Sequence, residues 1–110
     1  MKNLIDFFQK KGLIFKKFEP VDLKKYGIRK RVSVFNALTV DNKYMLIIFT
    51  SRKSRVLVKD AQSYEEVSEL LSKSFSHGFK KKILITDAPV CAKAQSLLKS
   101  INWRIEIASL

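Results

Sequence analysis

The side chains best suited to chemistry in this sequence are its cations, and they fall into three clusters. Lys24, Lys25, Arg29, Lys30 and Arg31 precede a long apolar segment, Arg52, Lys53 and Arg55 follow it, and Lys80, Lys81 and Lys82 lead into the next one. Basic groups at loop tips can follow a phosphate backbone, releasing counterions as they bind. Such contacts give affinity without reading base sequence. Tyr26 stands beside the first cluster, where its ring can stack on a base or, as the simpler expectation, pack locally. The plain alternative for each cluster is a solvated loop. Three clusters argue for a binding surface only if they share a face.

Other reactive groups are sparse. His77 is the single histidine and adjoins Gly78, where a cation favours a helix C-terminus. One histidine makes a poor metal site. Cys91 is the single cysteine, so no intrachain disulfide is possible and a reducing cytoplasm is the expected compartment. A small, half-buried filler is its expected role. Gly12, Gly27 and Gly78 are the only glycines, and none sits in a phosphate-binding fingerprint. Asp60 and Asp87 are isolated carboxylates. Asp87 sits at a strand end, where a helix cap explains it as well as a functional role does.

Charge bounds the partner. The 110 residues hold 22 Lys+Arg against 10 Asp+Glu, a formal charge of +12. A basic surface attracts polyanions, so nucleic acid, DNA or RNA, is the expected partner rather than a membrane or a small-molecule substrate. An acidic protein partner is the alternative. Hydrophobic residues make up 46% and charged residues 29%, a globular composition. One domain over residues 1–110 is expected from that length. No apolar run approaches the roughly 20 residues that span a bilayer. The opening residues carry Asp6 and are not expected to be a signal peptide.

The elements that must position these groups centre on Tyr44–Thr50. This near-continuous apolar run predicts a strand buried on both faces. Alternation over residues 32–40 predicts its antiparallel partner, with Val32, Val34, Leu38 and Val40 on one face and Asn36 as the polar exception. Asp41-Asn42-Lys43 supplies the hairpin turn. Upstream, a helix ending at Gly12 and a strand over residues 13–18, stopped at Glu19-Pro20, are predicted, followed by a loop hinged at Gly27. Downstream, Arg55–Val58 reads as a short strand. The capping box Ser63-Tyr64-Glu65-Glu66 predicts the next helix start, with Val67, Leu70, Leu71 and Phe75 as its apolar stripe and Gly78 as its left-handed stop. A strand over residues 82–86, a helix opened by Pro89 and capped at Asp87 or Ala88, and a strand over residues 103–108 complete the chain. The order predicts an α/β fold: a mixed sheet with an N-terminal antiparallel hairpin and C-terminal parallel crossovers, with helices on its faces.

Over about residues 31–108, and most directly in the run from Lys43 to Ile107, this order resembles the core of the restriction-endonuclease-like PD-(D/E)xK nucleases. The final section, Ile83-Leu-Ile-Thr-Asp-Ala-Pro followed by Ala92, Ala94, Leu98, Ile101 and Ile105, carries much of the likeness. Active members place an acidic residue, any residue and a lysine on the second hairpin strand. The carboxylates bind a divalent cation that activates water. The equivalent place here reads Phe49-Thr50-Ser51, which cannot supply that set. The resemblance therefore implies a non-catalytic module without cofactor. A displaced site built on Asp41 and Lys43, with Glu19 or Asp22 upstream and Mg2+ or Mn2+ bound, is the nuclease alternative. Turn chemistry accounts for Asp41 and Asn42 without further assumptions and is the preferred reading.

Overall fold

The computed structural model of the chain describes residue 6 and residues 8–10, 14–27, 32–51, 54–75 and 78–107. Strands β1 (Phe15–Pro20), β2 (Ser33–Thr39), β3 (Tyr44–Thr50), β4 (Lys81–Thr86) and β5 (Trp103–Ile107) form a five-stranded sheet in chain order. Helix α1 (Val58–Phe75) links β3 to β4, and α2 (Ala92–Ser100) links β4 to β5. The first three strands pair antiparallel and the last three parallel. This is the mixed α/β sheet that the sequence predicts.

The apolar run of β3 lies in the middle because both faces there are covered. Met45, Leu46, Ile47 and Ile48 are all fully buried. On one face, Ala61, Tyr64, Val67 and Leu71 of α1 and Ala94 and Leu98 of α2 pack on Val34, Leu46, Ile48, Leu84 and Trp103. On the other, Phe35, Ala37, Met45, Ile47, Ile83 and Ile85 meet Phe8, from the helical residues 8–10, together with Phe15 and Phe18. Phe18 stacks on Phe35 at 5.0 Å, and Phe8 meets Phe15 edge-on at 5.4 Å. The predicted alternation is realised within β2, with Val34 and Phe35 on opposite faces, but Val40 lies beyond the strand and is exposed.

Several boundaries move for identifiable reasons. Strand β1 continues through Glu19 to Pro20, because proline is tolerated on an edge strand. The predicted loop after it contains a 3-10 turn, Leu23–Tyr26, capped by the Asp22 carboxylate and closed by Gly27 at φ 71°. Residues 55–58 form no strand: Val56 makes a single bridge to Val90, and α1 already begins at Val58. Ser63 and Glu66 therefore lie inside α1. The cap is set earlier, where the Asp60 carboxylate accepts from the Leu57 amide at 2.9 Å. Leu70 faces outward, 39% exposed, and the buried stripe runs instead through Ala61, Tyr64, Val67, Ser68 and Leu71.

Helix α2 begins at Ala92 with Cys91 as its cap, not at Pro89. Val56 donates to the Pro89 carbonyl at 2.8 Å and accepts from the Cys91 amide at 3.0 Å, which holds this segment out of the helix. Asn102 ends the helical region in the left-handed conformation, φ 67°. Gly78 does not adopt that conformation; Gly27 is the described glycine that does. The predicted helix start, its stop at Gly12, His77 and residue 108 lie outside the described residues.

Candidate nucleic-acid interface

Sheet topology decides which cations can meet. Strands β1, β3, β4 and β5 run in one direction, so their starts gather at one end of the sheet. Near the start of β1, Lys16 donates to Asn42 Oδ1 in the β2–β3 turn at 2.6 Å. The Lys80 amide donates to the Tyr44 carbonyl at 2.9 Å, joining the starts of β4 and β3. The last turns of α1 and α2 carry Lys73 and Lys99 toward the starts of β4 and β5. Lys16, Lys43, Lys73, Lys80, Lys81 and Lys99 are all exposed there.

The three sequence clusters are distributed differently. Lys80 and Lys81 belong to that rim, but Lys82 turns onto the helix-bearing face. Its Nζ lies 3.0 Å from both Glu65 carboxylate oxygens and 5.5 Å from the Trp103 ring centroid. Trp103 Nε1 donates to the same carboxylate at 2.6 Å. This lysine is engaged in an internal pair. Lys24 and Lys25 are exposed on the turn Leu23–Tyr26, which packs against the end of α1 through Tyr26 and Phe75, edge-on at 5.7 Å. Tyr26 packs locally, as expected. Arg55 is exposed beyond the opposite end of β3 from the lysine rim. Arg29, Lys30, Arg31, Arg52 and Lys53 lie outside the described residues. Sequence reading missed Lys16, Lys43, Lys73 and Lys99 as a group because they are separated along the chain. Strand direction and the ends of α1 and α2 bring them to one end of the sheet.

The candidate carboxylates have structural partners. The Thr39 hydroxyl donates to Asp41 Oδ1, and Lys43 Nζ lies 3.4 Å from Asp41 Oδ2. The Lys43 amide donates back to Thr39 Oγ1 at 3.0 Å, and Asn42 takes φ 66°. The Asp41 carboxyl is held below its ordinary value of 3.8, chiefly by the Thr39 hydroxyl, with its own backbone and Lys43 adding to the effect. These are the contacts of a tight hairpin turn. Asp22 accepts from the Lys24 amide at 3.2 Å.

Phe49 and Thr50, which the sequence resemblance sets at the motif's place, are partly buried and buried. Ser51 donates to Asp87 at 2.7 Å. Cys91 Sγ accepts from the Ala94 amide at 3.4 Å, as a helix cap. Among the described residues, no three His, Cys, Asp or Glu side chains are grouped to hold a metal ion. No described helix is long and apolar enough to cross a membrane.

No protein-family model matches this chain, and no curated protein matches it in sequence. Solved structures do match it in shape. Apo EndoMS aligns with 100% of this chain and 45% of its own, at 15% identity and a TM-score of 0.61. A repair endonuclease from Pyrococcus abyssi aligns with 99% of this chain and 45% of its own, at 15% identity and a TM-score of 0.57. EndoMS in a complex with dsDNA aligns with 86% of this chain and 37% of its own, at 13% identity and a TM-score of 0.54. The chain thus spans less than half the length of each of these proteins. The fold is restriction-endonuclease-like, as the resemblance in sequence pattern implies.

Proposed function

We propose that this restriction-endonuclease-like fold serves as a non-catalytic nucleic-acid-binding module that holds the phosphate backbone through exposed lysines. The observation that carries the reading is the rim formed by Lys16, Lys43, Lys73, Lys80, Lys81 and Lys99 at the strand starts. Lys16 and Lys43 stand by the starts of β1 and β3, Lys80 and Lys81 at the start of β4, and Lys73 and Lys99 on the helix ends that lead into β4 and β5, so the rim gathers several cations at one end of the sheet. A polyanion with regularly spaced charge suits such an edge better than a compact substrate does. The net charge of +12 supports the same partner. The similarity to EndoMS, whose structure with dsDNA is among the matches, makes duplex DNA the first ligand to test.

Hydrolysis has less support. A displaced metal site would need the Asp41 oxygens, and these are engaged by Thr39 and Lys43. The sequence resemblance sets Phe49, Thr50 and Ser51 where active members carry acidic-x-Lys. The test is a gel-shift titration of duplex DNA against rising salt, run beside a cleavage assay with Mg2+ and with Mn2+. Affinity should fall steeply between about 50 and 200 mM salt, with the DNA left intact. Cleavage that disappears in Asp41→Asn would hand the chain to the nuclease alternative. Absence of binding at the lowest salt would end the backbone-binding reading.

A further inference from the structure

The sheet has two edges, and the chain treats them differently. At the β1 edge, the register shifts between Phe15 and Lys17, Lys16 and Lys17 are exposed, and Pro20 has no N–H to offer. These are devices that keep other strands away. At the β5 edge, pairing with β4 is regular from Trp103 to Thr86's partner Ile107, and the strand holds no proline. No described strand lies beyond β5. Its outer row of backbone donors and acceptors is a template for another strand.

The side chains say which strand fits. Trp103, Ile105 and Ile107 alternate with Arg104 and Glu106. Trp103 and Ile105 belong to the helix-bearing face. Arg104 and Glu106 stand beside Ile83 and Ile85 on the other face. Arg104 Nε lies 2.9 Å from Glu106 Oε1 of the same chain. Ile107 is 59% exposed, although Trp103 and Ile105 on its face are buried and half-buried. This pattern is its own complement when reversed. Laid antiparallel to itself about Ile105, the strand sets Trp103 opposite Ile107, Arg104 opposite Glu106 and Ile105 opposite its copy. Apolar residues then meet on one face, and charges of alternating sign meet on the other. Moving the axis one residue, to Arg104 or to Glu106, sets like charges opposite each other. Residues facing each other in an antiparallel pair are either hydrogen-bonded or not, and a two-fold axis can pass through either kind, so the backbone permits a centre at Ile105.

We propose that two copies of this chain associate through β5, antiparallel about a two-fold axis at Ile105, so that their five-stranded sheets become one. Such an interface uses the same patch on both copies and closes on itself. It covers Ile107 and joins the Arg104–Glu106 pair of each copy into one network. It stands independently of the nucleic-acid reading, and it sends the two lysine rims to opposite ends of the joined sheet. The formal charge of +12 on each copy opposes the approach. That repulsion is screened beyond about 8 Å at 0.15 M salt, whereas facing side chains in a strand pair lie closer than this.

Sedimentation equilibrium of the full chain at about 0.15 M salt tests the pairing. The average mass should rise with concentration from 12.7 kDa toward twice that value. Arg104→Glu places a carboxylate opposite Glu106 of the other copy at both facing positions. It should weaken association about tenfold, as two pairs change from attraction to repulsion. Arg104→Glu combined with Glu106→Arg returns opposite charges across the axis and should restore association. Arg104 is exposed, so its single variant keeps the test decisive if circular dichroism shows the double variant unfolded. A mass that stays at one chain up to about 1 mM overturns the pairing. Undiminished association in Arg104→Glu overturns it too, as does a folded double variant that stays dissociated.

Discussion

Glu65 holds two partners that lie 17 and 38 residues away along the chain, Lys82 and Trp103. The Trp103 indole is buried at 3% exposure, so its N–H depends on that carboxylate. Glu65→Ala leaves a buried donor unmet and Lys82 without its counter-charge, and should cost about 2 kcal/mol. Urea unfolding followed by Trp103 fluorescence measures this directly, since the chain has one tryptophan. Glu65→Gln keeps an acceptor for the indole and should lose less. An unchanged midpoint in the alanine variant would mean that the triad contributes nothing net. Asp41 makes the opposite kind of contact, at the surface. Its carboxyl is depressed below 3.8, first by the Thr39 hydroxyl. A depressed acid stabilises the fold above its unfolded value and loses that contribution as pH falls through its folded value. The melting-temperature difference between the native chain and Asp41→Asn should therefore be constant from pH 7 to about pH 5 and shrink toward pH 2. A difference that persists at pH 2 would mean that asparagine disturbs the turn by shape, not charge.

At the scale of elements, a helix start is a competition between caps, and sequence pattern alone picked the wrong contestant. Ser63-x-x-Glu66 has the capping-box spacing, yet α1 begins well before Ser63, at Val58. The deciding contact is long-range: Val56 bridges Val90, which fixes the chain just ahead of the helix. Asp60, at the third helical position, then reaches back to the Leu57 amide. Asp60→Ala should cost about 1 kcal/mol, and Ser63→Ala should stay within about 0.5 kcal/mol of neutral. Denaturant titration of the two variants side by side decides between the caps; equal losses would refute this assignment. The same contact explains why Pro89 does not open α2. Elements whose signal is local were legible: the apolar run of β3, the alternation of β2, and the Asp41-Asn42 turn. Gly27 was legible as a hinge. Its φ is 71°, and a Cβ added there would meet no atom within 4 Å, so substitution isolates the backbone effect. Gly27→Ala should lose about 1 kcal/mol of stability in a thermal melt, from backbone strain alone.

At the scale of the whole molecule, the described cations that are neighbours along the chain are not all neighbours in space. The antiparallel-then-parallel order of the sheet sends Arg55 to one end and Lys80 and Lys81 to the other. It also recruits Lys16, Lys43, Lys73 and Lys99, which stand apart in sequence. Net charge was legible, but its placement depends on strand direction, which no local pattern states outright. The functional consequence can be measured through salt. Each phosphate contact adds roughly 0.9 to the slope of log affinity against log salt on duplex DNA. Lys80→Ala with Lys81→Ala should therefore reduce that slope by about 2, whichever sequence is bound. Lys82→Ala should leave the slope almost unchanged, because its ammonium already faces Glu65 at 3.0 Å. Arg55→Ala serves as the control at the far end of β3 and should also leave it near the native value. A larger drop from Arg55→Ala than from the double variant would move the backbone-binding surface to the opposite end of the sheet, and with it the physical basis for reading this fold as a DNA-holding module through its strand starts.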